Sequence, residues 1–581
     1  MKIFRFIISL LTLHVFISLA QTLRAQEPSD SEKSTYVEGQ VLVKFKPTAA
    51  KEFFTTSCPL ARLEEQTGVT VLKSFGTNPN QKHLSPTKLL GHPTHSTQVL
   101  IKLLKDDPAI EYVEPNYYRS IRSRPNDPHF QKQWGLENTG QLIDNYWQGT
   151  AGCDIGYLTA QEFIRPGPVD VIIAVGDSGI QLDHPDLEDK IWINPDEIPG
   201  NGIDDDNNDY IDDTQGYDFG KNRALVEDNE GHGTHVAGII AAKTNNEIGI
   251  TGAFSKAKIL PLAVEDANGN ISSDAILNSL NYVTAMKNNG ANIVAYNFSL
   301  GGAIYSQSEK EAIEQLNQAG VIVCAATGNQ GRNSDLDFFK TYPDCYEVSN
   351  IIAVGGSNLT HGLYGNSNYG LRNVDLAAPG RAIYSAAISG NGYEFRSGCS
   401  QSTPYVSAAV AMAAHNFPED TVEERIHRIL NNTTPSTAWE GKSVSGGILN
   451  LTKIVNSDGD ELPDWWEEDN FSDLSSNGEG DRDRDGLSDI QEYLSGTNPT
   501  SANSTFKPET ISVNSQEVLT LEIKTLQGRT YQLQVNSGLE ATNWQNLGNS
   551  ITGDGTIKSF RDTLNVAINP KRFYRIRVTW E

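Results

Sequence analysis

The chain has 581 residues, 38% of them aliphatic or aromatic, which excludes a wholly disordered or collagen-like chain and, at about 100–200 residues per domain, implies three or four folded units. Its formal charge of −27 is gathered in two stretches: Asp196 to Asp213 holds eight acids and no base, and Asp458 to Glu492 holds fourteen acids against two arginines. A polyanion needs a basic stripe to displace its counterions, so no nucleic acid is expected as a partner, whereas acid clusters suit divalent cations.

Residues 1–25 read as a signal peptide, with Lys2 and Arg5 before an apolar run from Phe6 to Leu19 and small residues at Ala20 and Ala25. The run is shorter than the roughly 20 residues of a spanning helix and contains His14, and no later segment could span. A secreted chain without a transmembrane anchor is expected. Its five cysteines, Cys58, Cys153, Cys324, Cys345 and Cys399, allow at most two internal bridges and do not make a disulfide scaffold.

Residues 26–124 alternate strand-like runs (QVLVKFKP, STQVLIKLL) with an amphipathic stretch at Pro59–Thr67 and close on AIEYVEPNYY, predicting a small α+β unit. The basic segment RSIRSRPNDP that follows reads as an exposed connector. Over residues 125–454, β-branched runs (VDVIIAV, AKILPLAV, NIVAYNFSL, VIVCAAT, IIAVGG) alternate with helical patterns, which predicts an α/β domain with a parallel sheet covered on both faces. Residues 455–505 form the acidic linker region, and residues 506–581, with TLEIKT, TYQLQV and RFYRIRV, a small all-β domain.

Three segments of the α/β unit place reactive side chains where a strand ends or a helix begins, the positions at which such sheets build sites. Asp177 follows VDVIIAV, His232 lies between two glycines in NEGHGTHVAGIIAA, and Ser400 opens SGCSQSTPYVSAAV. Singly, each has an ordinary reading: a turn aspartate, a helical histidine that with His235 could hold zinc, a helix-capping serine. Together, DSGIQLDHPDL, GHGTHVAG, NFSLGG, AATGN and GCSQSTPYVSAA resemble the subtilisin-like serine proteases in their chain order of Asp, His and Ser.

That resemblance implies a subtilisin-like catalytic domain in which Ser400 is the nucleophile, His232 its general base and then acid, and Asp177 the group that orients the imidazole. It implies Asn329 and the Ser400 amide as oxyanion donors. Ser299, Leu300, Gly301 and Gly302 would receive the substrate backbone, and Ala326, Thr327 and Gly328 would wall the P1 pocket. Two departures stand out: Gly176 replaces a usual aliphatic residue, and Cys399-Ser400-Gln401-Ser402 replaces Thr-Ser-Met-Ala, so that Cys399 could make activity sensitive to thiol reagents. Residues 26–124 resemble the family's inhibitory propeptide, although a permanent N-terminal domain is the other reading. The expected partners are polypeptide substrates and the chain's own propeptide. The function implied is a self-processing secreted serine endopeptidase, the alternative being a catalytically dead protease-fold surface binding protein. The partner of the C-terminal domain is not legible.

Calcium is the expected cofactor. An EF-type loop supplies ligands at positions 1, 3, 5, 7, 9 and 12 with glycine at 6, and Asp481, Asp483, Asp485, Gly486, the Leu487 carbonyl, Asp489 and Glu492 fit every position. Asn456, Asp458, Asp460, the Leu462 carbonyl, Asp464 and Glu467 fit with Glu461 in place of the glycine. The pair resembles thrombospondin type 3 repeats; a solvated acidic linker is the plainer reading. Asp204, Asp206, Asn208, the Tyr210 carbonyl and Asp212 recur at similar intervals in an acidic insertion, and Asp127, Asp186 and Asn246 match the family's structural calcium site.

Overall fold

The computed structural model describes residues 36–46, 59–74, 87–92, 95–105, 107–117, 124–388, 392–516, 518–537, 544–564 and 572–580. The signal peptide read at residues 1–25, Cys58, Tyr118 and residues 119–123 of the connector lie outside them. The chain divides into two compact units, Arg122–Phe506, and Met1–Ile121 with Lys507–Glu581.

In the N-terminal residues, β1 (Tyr36–Phe45), α1 (Pro59–Thr67), β2 (Thr70–Ser74), β3 (Thr87–Gly91), α2 (Thr97–Leu104) and β4 (Ile110–Tyr117) form the expected α+β element. Its antiparallel sheet runs β2-β3-β1-β4. Alternate residues Val41, Val43 and Phe45 of β1 meet Leu63, Leu100 and Leu104 from the helices, as the two-residue period of a one-sided sheet requires.

The larger unit contains β5 (Ile172–Asp177), β6 (Tyr217–Asp218), α3 (His232–Ala241), β7 (Lys258–Ala263), α4 (Ser273–Asn288), β8 (Ile293–Phe298), α5 (Gln307–Gln318), β9 (Ile322–Ala326), β10 (Ile351–Ser357) and β11 (Leu376–Pro379). After a hairpin of β12 (Ile383–Ala386) and β13 (Tyr393–Arg396) come α6 (Cys399–Asn416), α7 (Val422–Asn431), β14 (Thr434–Pro435) and β15 (Gly447–Ile448). The nine-stranded sheet is ordered β14-β15-β11-β10-β9-β8-β5-β7-β6. All neighbours are parallel except β14 and β15.

Burial on both faces explains the uninterrupted apolar strands. Ile173 and Val175 of β5 join one core with Val236 and Ile239 of α3 and Val406 and Val410 of α6. Ile172 and Ala174 join a second with Val283 of α4 and Leu316 of α5. Each large aliphatic side chain so buried contributes about 1.5–3 kcal/mol. Helix α6 packs on α3, β5 and β8 to β11, its alanines Ala408, Ala409, Ala411 and Ala413 fully buried. The chain runs from β5 to β6 and β7 on one side and returns through α4 to β8 on the other. The carboxyl ends of β5 and β8 therefore flank the reversal in strand order, where sheets of this kind form their ligand crevice.

The acidic segment is more ordered than the linker its composition predicts. Its α8 (Asp464–Phe471) and α9 (Asp489–Ser495) enclose Leu462, Trp465, Trp466 and Tyr493 against Phe417 of the sheet domain. Trp465 Nε1 donates to the Phe163 carbonyl at 3.1 Å, and Arg428 pairs with Glu468 at 3.2 Å. Beyond Lys507, β16 (Thr510–Val513), β17 (Val518–Lys524) and β20 (Ile557–Thr563) form one antiparallel sheet, and β18 (Arg529–Asn536) pairs with β21 (Phe573–Trp580) in another, with β19 (Ile551–Thr552) beside it. This is the small all-β element read from the alternation.

Candidate active site

Asp177 is the last residue of central strand β5 and is 2% exposed. His232 is the first residue of α3, preceded by Gly231 at φ +86°. At Gly233 a Cβ would stand 2.1 Å from the Gly179 carbonyl oxygen, so only glycine allows the helix to approach the strand end this closely. The free amides of α3 are held by Asp228: one oxygen accepts from Thr234 N at 2.9 Å and Oγ1 at 2.6 Å, the other from Gly231 N at 2.7 Å and Ser178 Oγ at 2.9 Å. Ser178 Oγ accepts in turn from Gly233 N at 3.0 Å. Asp228 and Ser178 thus fasten the helix to the strand end. Neither was read from the sequence, though an aspartate just before a helical run is the usual capping signal.

His232 Nδ1 donates to Asp177 Oδ1 at 2.7 Å, and the Ser178 amide donates to the same oxygen at 2.8 Å. The proton held on Nδ1 leaves Nε2 as the basic nitrogen of the neutral ring. Burial alone would lower the His232 pKa, but the charge and hydrogen bond of Asp177, with the charge of Glu230, outweigh it and raise the value above 6.5.

Ser400 is the second residue of α6, so its amide has no partner within the helix. Four residues on, Pro404 lacks the N–H that would bond the Ser400 carbonyl; that carbonyl accepts from Ser299 Oγ at 2.9 Å instead. Asn297 is opposite Val175 across the β8–β5 ladder, so Ser299, two residues further, stands level with Asp177. Acid, imidazole and alcohol therefore gather at one sheet rim. Ser400 Oγ and His232 Nε2 are not hydrogen-bonded to each other; such bonds are often long before substrate binds. Asn329 follows β9, and its Oδ1 accepts from Cys399 N at 2.8 Å, which leaves Nδ2 as the carboxamide's donor.

The residues expected to wall the substrate site lie at the carboxyl ends of β8 and β9. Leu300 and Gly301 follow Ser299 past β8, but both polar backbone groups of Gly302 pair with Tyr342, at 3.0 and 2.8 Å, and are not free to receive a substrate strand. Thr327 Oγ1 is turned inward to the Val354 carbonyl at 3.1 Å, Ala326 ends β9, and Gly328 turns at φ +91°. Cys153, Cys324, Cys345 and Cys399 are free thiols. The thiol sensitivity expected at Cys399 is not supported: the residue is fully buried, its Sγ lies 3.1 Å from the Gly328 carbonyl, and burial pushes the thiol pKa up, suppressing the reactive thiolate. The departure at Gly176 has a packing cause, since a Cβ there would lie 1.9 Å from Tyr296 Oη on neighbouring β8.

The family model described as "Subtilase family" matches residues 169–472, just over half of the chain. The chain belongs to the subtilase family. This subtilase also matches the "Fervidolysin N-terminal prodomain" over residues 23–116, so it carries a prodomain. It is 32% identical over 425 residues to the thermophilic serine proteinase of Bacillus sp. strain AK1, covering 73% of this chain and 89% of the relative. Thermitase of Thermoactinomyces vulgaris is 30% identical, covering 57% of this chain and 99% of the relative. Among solved structures, a protease from Pseudoalteromonas arctica aligns with a TM-score of 0.45 at 25% identity, covering 58% of this chain and 99% of that one. The subtilase is a serine-type endopeptidase that acts on peptide substrates.

Acidic groups of this subtilase could hold metal ions. The structure brings Asp127, Asp186 and Asn246 together: Asn246 Nδ2 donates to Asp186 at 2.8 Å, and Asp127 accepts the Asn246 amide at 3.2 Å. Both aspartates are buried, and Tyr393 Oη donates to Asp186 at 2.9 Å. Asp481, Asp483 and Asp485 converge within 4.8 Å, as do Asp458, Asp464 and Glu467. Both Glu467 oxygens, Glu492 Oε2, Asp489 Oδ1 and Asp460 Oδ2 are buried with no hydrogen-bond donor. Desolvation, then crowding by neighbouring aspartates, pushes Glu467 up to about 8. Desolvation, offset in part by a hydrogen bond from Thr497, pushes Glu492 up to about 7. Such groups fit a cation site, where a bound ion replaces the missing donors. Gly486 turns at φ +100°; in the loop with Glu461 the left-handed residue is Gly459, φ +78°. In the acidic insertion only Asp206 of the five expected ligands joins a carboxylate cluster, with Glu197 and Asp213, which sequence spacing missed.

Proposed function

We propose that this subtilase is a secreted, calcium-stabilised endopeptidase, made as a self-processing zymogen, that cleaves peptide bonds through an acyl-enzyme on Ser400. The observation that carries the reading is the His232–Asp177 bond of 2.7 Å at the same rim as the anchored Ser400. His232 Nε2 takes the Ser400 hydroxyl proton as Oγ bonds the scissile carbonyl carbon, and the imidazolium is stabilised by Asp177. Asn329 Nδ2 and the Ser400 amide donate to the oxygen that becomes negative, aided by the amino end of α6. His232 then protonates the leaving amine, and water attacking the ester repeats the sequence with His232 again as base. Ser299 to Gly301 and Ala326 to Gly328 form the substrate walls.

A fluorophosphonate probe should label Ser400 in the mature enzyme, with labelling and casein hydrolysis both absent from Ser400→Ala. A labelled site elsewhere would overturn the assignment. A catalytically dead binding protein is not favoured, because acid, imidazole, alcohol and carboxamide are all retained.

Residues 1–25 act as the signal peptide, 26–124 as the inhibitory propeptide, 125–454 as the catalytic domain, 455–505 as the calcium-binding repeats of thrombospondin type 3 kind and 506–581 as the C-terminal β domain. Self-cleavage falls between Tyr118 and Asn126. An active secreted product whose amino terminus is Gln21 or Gln26 would refute it. Asp127, Asp186 and Asn246 would hold one calcium, the loop from Asp481 to Glu492 a second and that from Asn456 to Glu467 a third. The orphaned buried carboxylates support this reading, and bound ions would supply charge compensation and tie surface segments to the core.

A further inference from the structure

We propose that Arg396 is a positioning residue for the reaction above, tying the turn that carries His232 to the strand that leads into Ser400 and so setting how imidazole and alcohol meet. The inference rests on the reading of those two residues as base and nucleophile.

Arg396 ends β13, four residues before Ser400, and Glu230 stands two residues before His232. The guanidinium spans the gap between the two segments: Nη1 donates to the Glu230 carboxylate oxygens at 3.3 and 3.2 Å, and Nη2 to the Glu230 carbonyl at 3.0 Å. Its other edge is fixed on its own strand, where Nε donates to Glu394 Oε1 at 2.6 Å. A planar fork held on one side orients what it grips on the other, which an ammonium on a flexible stem does not do. The gripped turn is tight: Gly231 lies at φ +86°, and a Cβ there would stand 3.2 Å from Arg396 Nη2.

The same hairpin holds α3 at a second point. Ser385 Oγ donates to the His235 carbonyl at 2.7 Å, and His235 Nε2 donates to the Ile383 carbonyl at 3.2 Å. Desolvation of the fully buried His235 pushes its pKa down to about 3, so the ring stays neutral. Across the hairpin Ile383 is opposite Arg396 and Ser385 opposite Glu394, so both grips belong to one pair of strands. That pair runs directly into the nucleophile segment, where Ser397 Oγ accepts the Ala382 amide at 2.8 Å and the Gly398 amide donates to the Gly380 carbonyl at 2.8 Å. The hairpin therefore links the helix of the base to the helix of the nucleophile, and Arg396 makes the link nearest the reacting groups.

Stability does not account for this arrangement. The Glu230 side chain is 52% exposed and that of Arg396 23%, and ion pairs so open to water add little to a fold. A reacting group displaced by about 1 Å, by contrast, loses up to about 100-fold in rate. The pair also acts on the proton. The groups facing His232 are Asp177 at the end of β5, Glu230 in its own turn, Arg396 of β13 and the neutral His235 one turn along α3; burial lowers the His232 pKa, Asp177 and Glu230 raise it, and Arg396 lowers it. Asp228 is taken up by the amides of the turn and Glu394 by Arg396. Loss of Arg396 and loss of Glu230 thus shift the imidazole in opposite senses while loosening one turn.

The test compares the processed enzyme with its Arg396→Gln, Arg396→Lys and Glu230→Gln variants on a peptide anilide over a pH series, with rates taken per site titrated by a fluorophosphonate. Arg396→Gln is expected to lower the plateau kcat and the rate of fluorophosphonate labelling by about 10- to 100-fold with KM within about twofold. Arg396→Lys, which keeps the charge but not the fork, is expected to recover only part of that loss. The acid limb of kcat/KM should move up in Arg396→Gln and down in Glu230→Gln. An unchanged plateau kcat and labelling rate in Arg396→Gln, or limbs that move the same way in both variants, overturns the proposal. So does a change confined to the urea midpoint, measured in the Ser400→Ala background, since that marks a pair that only stabilises. Absence of Ser400 labelling in the parent overturns the nucleophile and this proposal with it, whereas a labelled parent with unaffected variants overturns the role of Arg396 alone.

Discussion

Because Asp177 holds the proton of His232 on Nδ1 at 2.7 Å and raises the imidazole pKa, the acid limb of kcat/KM should titrate above pH 6.5. Activity should rise with pH, since the neutral ring is the proposed base. Asp177→Asn should move that limb down and lower kcat on the order of 10⁴-fold by favouring the wrong tautomer; a pH–rate profile of both proteins decides. For stability the sign is opposite: the raised value stabilises the fold fully below pH 6.5, and this contribution is lost as pH rises through the folded-state pKa. Asn329→Ala removes one of the two proposed oxyanion donors and should cost about 3 kcal/mol, seen as a 10²- to 10³-fold fall in kcat with little change in KM. An equal change in kcat and KM would instead mark a loss of general positioning. At this scale the sequence was informative about residue type and chain order and silent about supports such as Asp228 and Ser178, whose hydrogen bonds join residues fifty apart.

Helix α6 and strands β5 and β8 form a mutually fitted set. The empty space at Gly176 is taken by Tyr296, whose Oη meets Ser279 Oγ at 2.8 Å. Gly176→Val should therefore destabilise by about 1–3 kcal/mol through overpacking. Combining it with Tyr296→Leu should recover part of that loss, read as the urea midpoint of the Ser400→Ala background. Strict additivity of the two changes would show that they do not share the space. Strand and helix existence was legible because apolar runs and 3.6-residue patterns follow directly from burial. The pairing of a glycine with a tyrosine on the next strand was not, because it depends on which strands the topology makes neighbours.

For the whole molecule, ion removal is the widest perturbation. A site held at a hundred times its dissociation constant contributes about 2.7 kcal/mol, so the proposed sites together should move the melting temperature by several degrees. Excess EGTA is expected to lower it and speed autolysis, as followed by calorimetry and gel; an unchanged melting temperature would count against the calcium sites. The acidic segment after the sheet domain should respond as part of that domain, because Trp465 and Trp466 pack against Phe417.

What the sequence by itself determined was the inventory and its order: an α/β domain carrying Asp177, His232 and Ser400, a prodomain before it and clustered acids within and after it. These are properties of local pattern and of residues whose chemistry is named by type. Only the tertiary structure decided which acids meet, drawing Glu197 and Asp213 to Asp206 while Asp204 and Asp212 turn to backbone amides. Spacing along a loop fixes which groups can be neighbours in the chain, but burial against α4 and the demand of each carboxylate oxygen for a donor or a cation fix which of them share a site.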